Sequence, residues 1–326
     1  MSNNMAADRS PGLDDGVAGD LHTRFANWMA DLPPNLHTAP LKDLAIPGTH
    51  DSFSFFLDKT SDISPGEPPE IKAAVLIMGQ AGKDLVYRWS VTQDICFMEQ
   101  LNDGVRYFDF RVAGRKSDSS LYFVHGLYGS KVESALLEIA QYLNTHPKEV
   151  VLLDFNHFYS MVDFHHERLI AILKEMFGPK LCPRMDPGDV TLATLWERGQ
   201  QVIVFYHNSV ADRHINLWMG EAIAAPWANT PEIPALVDFL NTEVRQESKF
   251  YVSQGVLTPT AGTILGNLNG SLKEVLAMPV MPHILKWLNG RRPGSGNQGV
   301  NIVIADFVDL AEFLPAVINL NYKETL

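Results

Sequence analysis

Short apolar runs alternate along this chain with stretches of helical spacing. The runs Leu41–Ile46, Val105–Val112, Leu121–Val124, Val150–Phe155, Gln201–Tyr206, Lys249–Ser253 and Asn301–Ala305 have strand length and read as buried strands. Between them, Val132, Leu136, Ile139, Ala140 and Leu143 recur on one helical face. Ser130-Lys131-Val132-Glu133 stands in front of that face as a capping box, and Pro147 follows it. A second helix is expected from Phe164 to Phe177, with Asp163 as N-cap and Gly178-Pro179 as the stop. Strands alternating with helices predict a mostly parallel sheet. With no linker to divide the chain, the expected fold is α/β: a single-domain, TIM-like, irregular βα barrel. A doubly wound sheet is the alternative. Residues 1–20, rich in Asp, Gly, Ser and Asn, read as a disordered tail in front of a domain at 21–326.

Composition narrows the function. The formal charge of −12 over 326 residues argues against nucleic-acid partners and against strong electrostatic docking on anionic lipid. The apolar stretch Ala73–Met78 falls far short of the roughly 18 residues that a membrane span needs. Met1-Ser2-Asn3-Asn4 starts no basic-then-apolar leader, and two cysteines, Cys96 and Cys182, form no disulfide framework. The expected location is therefore the cytoplasm or nucleus. Gly262–Gly270 has the spacing of neither a dinucleotide-binding nor a Walker loop, so no nucleotide cofactor is expected.

In a βα barrel, functional groups gather at the C-terminal ends of strands. Here Leu44-Ala45-Ile46 runs into Pro47-Gly48-Thr49-His50-Asp51-Ser52, and Val105-Arg106-Tyr107-Phe108 into Asp109-Phe110-Arg111. Tyr122-Phe123-Val124 runs into His125-Gly126, and Ile302-Val303-Ile304-Ala305 into Asp306. This inventory suits phosphodiester cleavage. A neutral histidine takes a proton from an attacking hydroxyl, and a protonated one gives a proton to the leaving oxygen. Carboxylates hold the two rings, and an arginine grips phosphate oxygens. The competing readings are structural: Asp109 as a buried ion-pair partner of Arg111, Asp306 as a helix cap, and His157 as a support of the barrel rim.

Ile46-Pro47-Gly48-Thr49-His50-Asp51-Ser52, the run Gln100 to Arg111, and Val124-His125-Gly126 together resemble the X domain of phosphatidylinositol-specific phospholipases C. The similarity continues through Val151 to His157 and Ile304 to Val308, most closely to small proteins with this domain alone. The resemblance implies a hydrolase in which His50 is general base, oriented by Asp306, and His125 is general acid, paired with Asp51. Arg111 would contact the phosphate. The animal multidomain enzymes bind calcium through an Asn after the first histidine and an acidic-x-acidic pair. This chain has Asp51 and Asp109-x-Arg111 there, which implies no metal and no cofactor. For headgroup contacts the resemblance points to Asp109, to Asp154 if its strand is bulged, and to Tyr206 or His207. The implied substrate is an inositol phospholipid met transiently at a membrane surface; protein partners are not indicated. If any segment touches lipid, the expectation falls on Pro69–Trp89, which carries Lys72, Lys83 and Arg88. The rival functions are a barrel that binds inositol lipid or protein without turnover, and a metal-dependent glycerophosphodiester hydrolase.

Overall fold

The structure is a computed structural model that describes residues 24–115 and 119–323. The expected tail at residues 1–20 lies outside the described residues. Among the described residues, ten strands join in one sheet. They are β1 (Ile46–Thr49), β2 (Tyr107–Gly114), β3 (Leu121–His125), β4 (Leu127–Lys131), β5 (Val151–Tyr159), β6 (Val202–Tyr206), β7 (Trp218–Met219), β8 (Ile223–Ala224), β9 (Phe250–Gly255) and β12 (Ile302–Ala305). Two short strands, β10 (Arg292–Pro293) and β11 (Gly299–Val300), pair separately. The order β7-β6-β5-β2-β1-β12-β9-β8 is parallel throughout. It wraps into a nearly closed eight-stranded barrel in a single α/β domain. Strands β3 and β4 form an antiparallel excursion from β2.

The strand runs are apolar because both faces are covered. Ile46, Tyr107, Leu152, Ile203, Phe205, Val252, Ile302 and Ile304 fill the barrel interior. Alternate residues, including Leu153, Phe155, Val204, Tyr206, Val303 and Ala305, pack outward. They meet Leu136, Ile139 and Leu143 of the Val132–Thr145 helix, Leu169 and Leu173 of the Asp163–Phe177 helix, and Ile284 and Leu288 of the Met278–Asn289 helix. This period of two fixes which strand-end residues look into the barrel mouth.

Three expectations need correction. The first apolar run is not a strand at its start: Leu41–Asp43 is a 3₁₀ turn, and β1 begins only at Ile46. Leu41 and Leu44 are buried in the inner cluster, and burial alone does not distinguish a covered turn from a strand. The capping box at Ser130 does not form. Ser130 belongs to β4, Lys131 is the N-cap without a side-chain bond, and Glu133 pairs with Arg168. The antiparallel β3–β4 excursion carries extended backbone directly into the helix. Asp163 is the first helical residue, and the N-cap is Val162, whose amide donates to Nδ1 of His165. Pro69–Trp89 is two helices, Pro69–Met78 and Gln80–Ser90, broken at Gly79 with φ of 59°.

Candidate active site

Gly48 explains the first motif. A Cβ there would lie 2.8 Å from Tyr107 and 2.9 Å from Ile304, so the absence of a side chain lets Tyr107 lie across the barrel. The Tyr107 hydroxyl then donates to Asp154 Oδ2 at 2.6 Å. Past β1 the chain turns sharply: Asp51 has φ of 41°, in the left-handed region that Asp tolerates better than most residues. Buried polar groups hold that turn. The Asp51 amide donates to Asp109 Oδ2, Thr49 and Gln100 bond each other, Gln100 reaches the Ser52 carbonyl, and Gln93 donates to the His50 and Ala305 carbonyls.

The turn places Asp51, fully buried, at the centre of the mouth. Its Oδ2 lies 3.4 Å from His50 Nε2 and 3.3 Å from His125 Nε2, and its Oδ1 lies 2.7 Å from Arg111 Nε. The two imidazoles stand edge to face with centroids 6.3 Å apart. His50 donates through Nδ1 to Asp306 Oδ1 at 2.7 Å, a tautomer assigned from this contact. In the neutral ring Nε2 offers a lone pair, with Arg111 Nη2 3.2 Å away. His125 donates through Nδ1 to the Ser90 carbonyl at 2.7 Å, so both of its nitrogens face oxygens. Asp51 is thus shared by both histidines and the arginine, where the motif implied a private partner for His125.

Burial disfavours an imidazolium at His50, but the carboxylates of Asp51 and Asp306 outweigh it and raise the pKa from 6.5 to about 9. Asp51 runs the opposite way. Burial raises its pKa, but Arg111, His125 and His50 overcome this and hold the carboxyl at about 2. Burial also lifts Asp306, against the pull of His50. In that pair the proton belongs on the ring, the stronger base.

Asp109 and Asp154 are neighbours in the β2–β5 ladder, and no bulge precedes Asp154. The register shifts after Phe110 and Phe155, so that Asn156 is the extra residue. The bulge that the sequence reading requires before Asp154 is therefore not needed: Asp154 shares parity with Leu152 and faces inward in regular strand. Its Oδ1 lies 2.8 Å from His207 Nε2. Burial opposes a charge on His207, and Asp154 more than offsets it, raising its pKa. Tyr206 points the other way. It is buried in the outer cluster and its hydroxyl bonds His166 Nδ1 at 2.8 Å, so His207, not Tyr206, reaches the mouth. His166 is accordingly buried.

The bulge carries Asn156 and, beside it, His157, which the sequence reading sets as a support of the barrel rim. Asn156 donates through Nδ2 to Asp109 Oδ1 and accepts from His157 Nδ1 through its Oδ1. Burial lowers the His157 pKa, and Arg111 acts in the same direction. His50, Asp51 and Asp109 each offer one ligand atom within a 4.8 Å cluster. Arg111, however, already places a cation against Asp51.

No family model matches the chain. It is 44% identical over 309 residues to PI-PLC X domain-containing protein 3 of Homo sapiens, covering 93% of this chain and 96% of that one. It is 38% identical over 312 residues to PI-PLC X domain-containing protein 1 of Homo sapiens, covering 93% and 95%. Among solved structures, the phosphatidylinositol-specific phospholipase C of Listeria monocytogenes superposes with a TM-score of 0.60 at 19% identity, covering 90% of this chain and 98% of that one. That likeness concerns the fold. The identity to the curated relatives, over nearly their whole length, decides the family: the chain belongs to the PI-PLC X domain-containing proteins.

Proposed function

We propose that this protein is a phosphoric diester hydrolase that cleaves inositol phospholipids to diacylglycerol and an inositol cyclic phosphate, without a metal ion. The observation that carries this reading is the single buried carboxylate of Asp51, in reach of His50, His125 and Arg111 at once. It gathers a base, an acid and a phosphate-binding cation around one point. His50 Nε2 takes the proton of a ring hydroxyl, whose oxygen bonds to phosphorus. The bond from phosphorus to the glycerol oxygen breaks, and that oxygen takes a proton from His125. Arg111 keeps Nε on Asp51 and presents its outer nitrogens to the phosphate oxygens. Because the guanidinium stands where a cation would sit, turnover needs no divalent ion. Product release from phosphatidylinositol vesicles is expected to be unchanged by excess chelator. Loss on chelation with recovery on calcium addition would overturn the metal-free reading, and vesicle binding without any product would overturn the enzyme reading.

The pH profile tests the role of His50. Held at about 9, it is mostly imidazolium at neutral pH, so kcat/KM should rise with pH until the ring deprotonates. Asp306→Asn removes one of the carboxylates that raise this value. Its acid limb is expected at lower pH, with a reduced plateau. An acid limb at the same pH in wild type and variant would refute the pairing. The same elevation makes His50 stabilise the fold fully below pH 6.5, a contribution lost as pH rises through about 9.

Membrane contact is proposed through apolar residues at the mouth end of the barrel. No helix among the described residues is long and apolar enough to cross a membrane. Leu76 and Ile77 are 85% and 86% exposed in the helix pair that follows β1. Phe164 follows β5, Trp227 follows β8, and Leu265 and Leu268 follow β9; all are exposed. The basic residues of the helix pair are tied to carbonyls, Lys72 to Pro65, Lys83 to Thr60 and Ser61, and Arg88 to Leu268 and Gly270. They shape the rim, and the apolar tips supply the affinity. Leu76→Glu with Ile77→Glu is expected to weaken vesicle binding at least about tenfold, since two large apolar side chains are lost from the interface. Turnover of a water-soluble inositol diester should be unaffected; a loss there would show that the helix pair has structural work instead.

A further inference from the structure

We propose that one buried strap, Ser90–Gln93, aligns both histidines: Thr92 and Gln93 hold His50 against Asp306, and the Ser90 carbonyl fixes the tautomer of His125. The inference rests on the hydrolase reading and names the residues that position its base and its acid. The last residues of β1 and β12 in register are Thr49 and Ala305. His50 and Asp306 stand just past the end of that ladder, where the sheet no longer fixes them. The bond left there, from the His50 amide to the Ala305 carbonyl, is long at 3.4 Å. The strap takes over at this point. Gln93 Nε2 donates to the His50 and Ala305 carbonyls at 3.0 Å each, and so spans the two strand ends. Thr92 Oγ1 adds a 2.9 Å bond to the same His50 carbonyl, and Ser54 Oγ bonds both the amide and the hydroxyl of Thr92. The chain after Asp306 is held as well. The Phe307 amide donates to the Thr92 carbonyl at 2.6 Å, and the Val308 amide to Gln93 Oε1 at 3.3 Å. Phe307 has φ of 50°, a conformation that an aromatic residue keeps only where its surroundings fix it.

The first residue of the strap serves the acid. The Ser90 carbonyl accepts from His125 Nδ1 at 2.7 Å, which leaves Nε2 for the departing oxygen. Gly126 permits this approach: it has φ of 66°, and a Cβ there would lie 2.0 Å from Ser90 Oγ. Ser90, Thr92 and Gln93 are all buried, so water does not stand in for these bonds. Base, orienting carboxylate and acid therefore depend on one short segment. Positioning of this kind is worth up to about 10²-fold in rate for a displacement of about 1 Å.

The test follows the histidine rings of the full chain by nitrogen NMR through a pH titration, with kinetics on phosphatidylinositol vesicles alongside. Thr92→Val and Gln93→Leu remove the side-chain bonds of the strap with little change of volume. In each, His50 is expected to titrate at least about one pH unit below wild type, because the Asp306 contact that raises it loosens. Asp51 and Asp109, which also raise it, and Arg111 beside Nε2 lie outside the strap and keep their places. The kcat should fall about 10- to 100-fold with KM within about threefold of wild type, the pattern of misalignment. Thr92→Ser keeps the hydroxyl and should restore both readings. In wild type the neutral His125 ring should carry its proton on Nδ1. An unchanged His50 titration in both folded variants overturns the proposal, because a strap that only stabilises the fold leaves that titration in place. Thr92→Val, which loses a single hydroxyl, decides the question if Gln93→Leu does not fold. A neutral His125 protonated on Nε2 overturns the assignment of Ser90. The titration needs no turnover, so a lowered His50 midpoint in a protein that cleaves nothing supports the alignment and fails the hydrolase reading.

Discussion

His50→Ala and His125→Ala are each expected to lower turnover of phosphatidylinositol by about 10²- to 10⁴-fold, the usual worth of a positioned acid or base. Neither change should harm the fold much. The two side chains are 14% and 21% exposed at the mouth, and the polar scaffold beneath them runs through Gln93, Gln100 and Asp109. The two losses differ in kind. A substrate with a phenolic leaving group needs no proton on departure, so it should restore much of the activity of His125→Ala and little of that of His50→Ala. Restoration of the opposite variant would exchange the two roles. Turnover within about threefold of wild type in either variant would remove that histidine from the reaction, because a positioned acid or base is worth far more.

The second large effect lies at the other end of the barrel. Glu149→Ala is expected to cost about 3–5 kcal/mol of stability, the range for removing one partner of a buried ion pair. Arg106 and Glu149 are both fully buried and meet at 2.7 Å. Arg106 also donates to the carbonyls of Leu101, Val105 and Ala26 and to the Tyr142 hydroxyl. Glu149 accepts from the amides of Met29 and Ala30. Its loss strands a cation in the interior and releases the segment before β1. Denaturant unfolding should show a lower midpoint, and limited proteolysis should cut earlier near Met29. A shift below about 1 kcal/mol would mean that water reaches Arg106 in the variant and replaces its partner. Arg106→Met combined with Glu149→Leu should recover part of the loss, because two apolar groups strand no charge.

Much of the architecture and the site was legible because it depends on local periodicity. Apolar runs of strand length separated by helical faces specify a covered parallel sheet. Polar residues directly after those runs must then emerge at one end, which is how His50, Arg111, His125 and Asp306 stand out. Local pattern failed where a neighbour in space decided the outcome. The Leu41 run is buried without being a strand, and Ser130 was drawn into β4 before it could cap a helix.

The sequence by itself determined which polar groups gather at the barrel mouth and the layer each strand residue occupies, since side-chain parity follows from a period of two. Tertiary structure alone decided how the groups are shared. His50 meets Asp306 across 256 residues of chain, and His125 takes the Ser90 carbonyl across 35. The β5 bulge falls at Asn156 after an inward Asp154, and Tyr206 turns out to His166 while His207 turns in. Such contacts arise when distant strands curl around one axis, and no periodicity along the chain records which oxygen then faces which nitrogen.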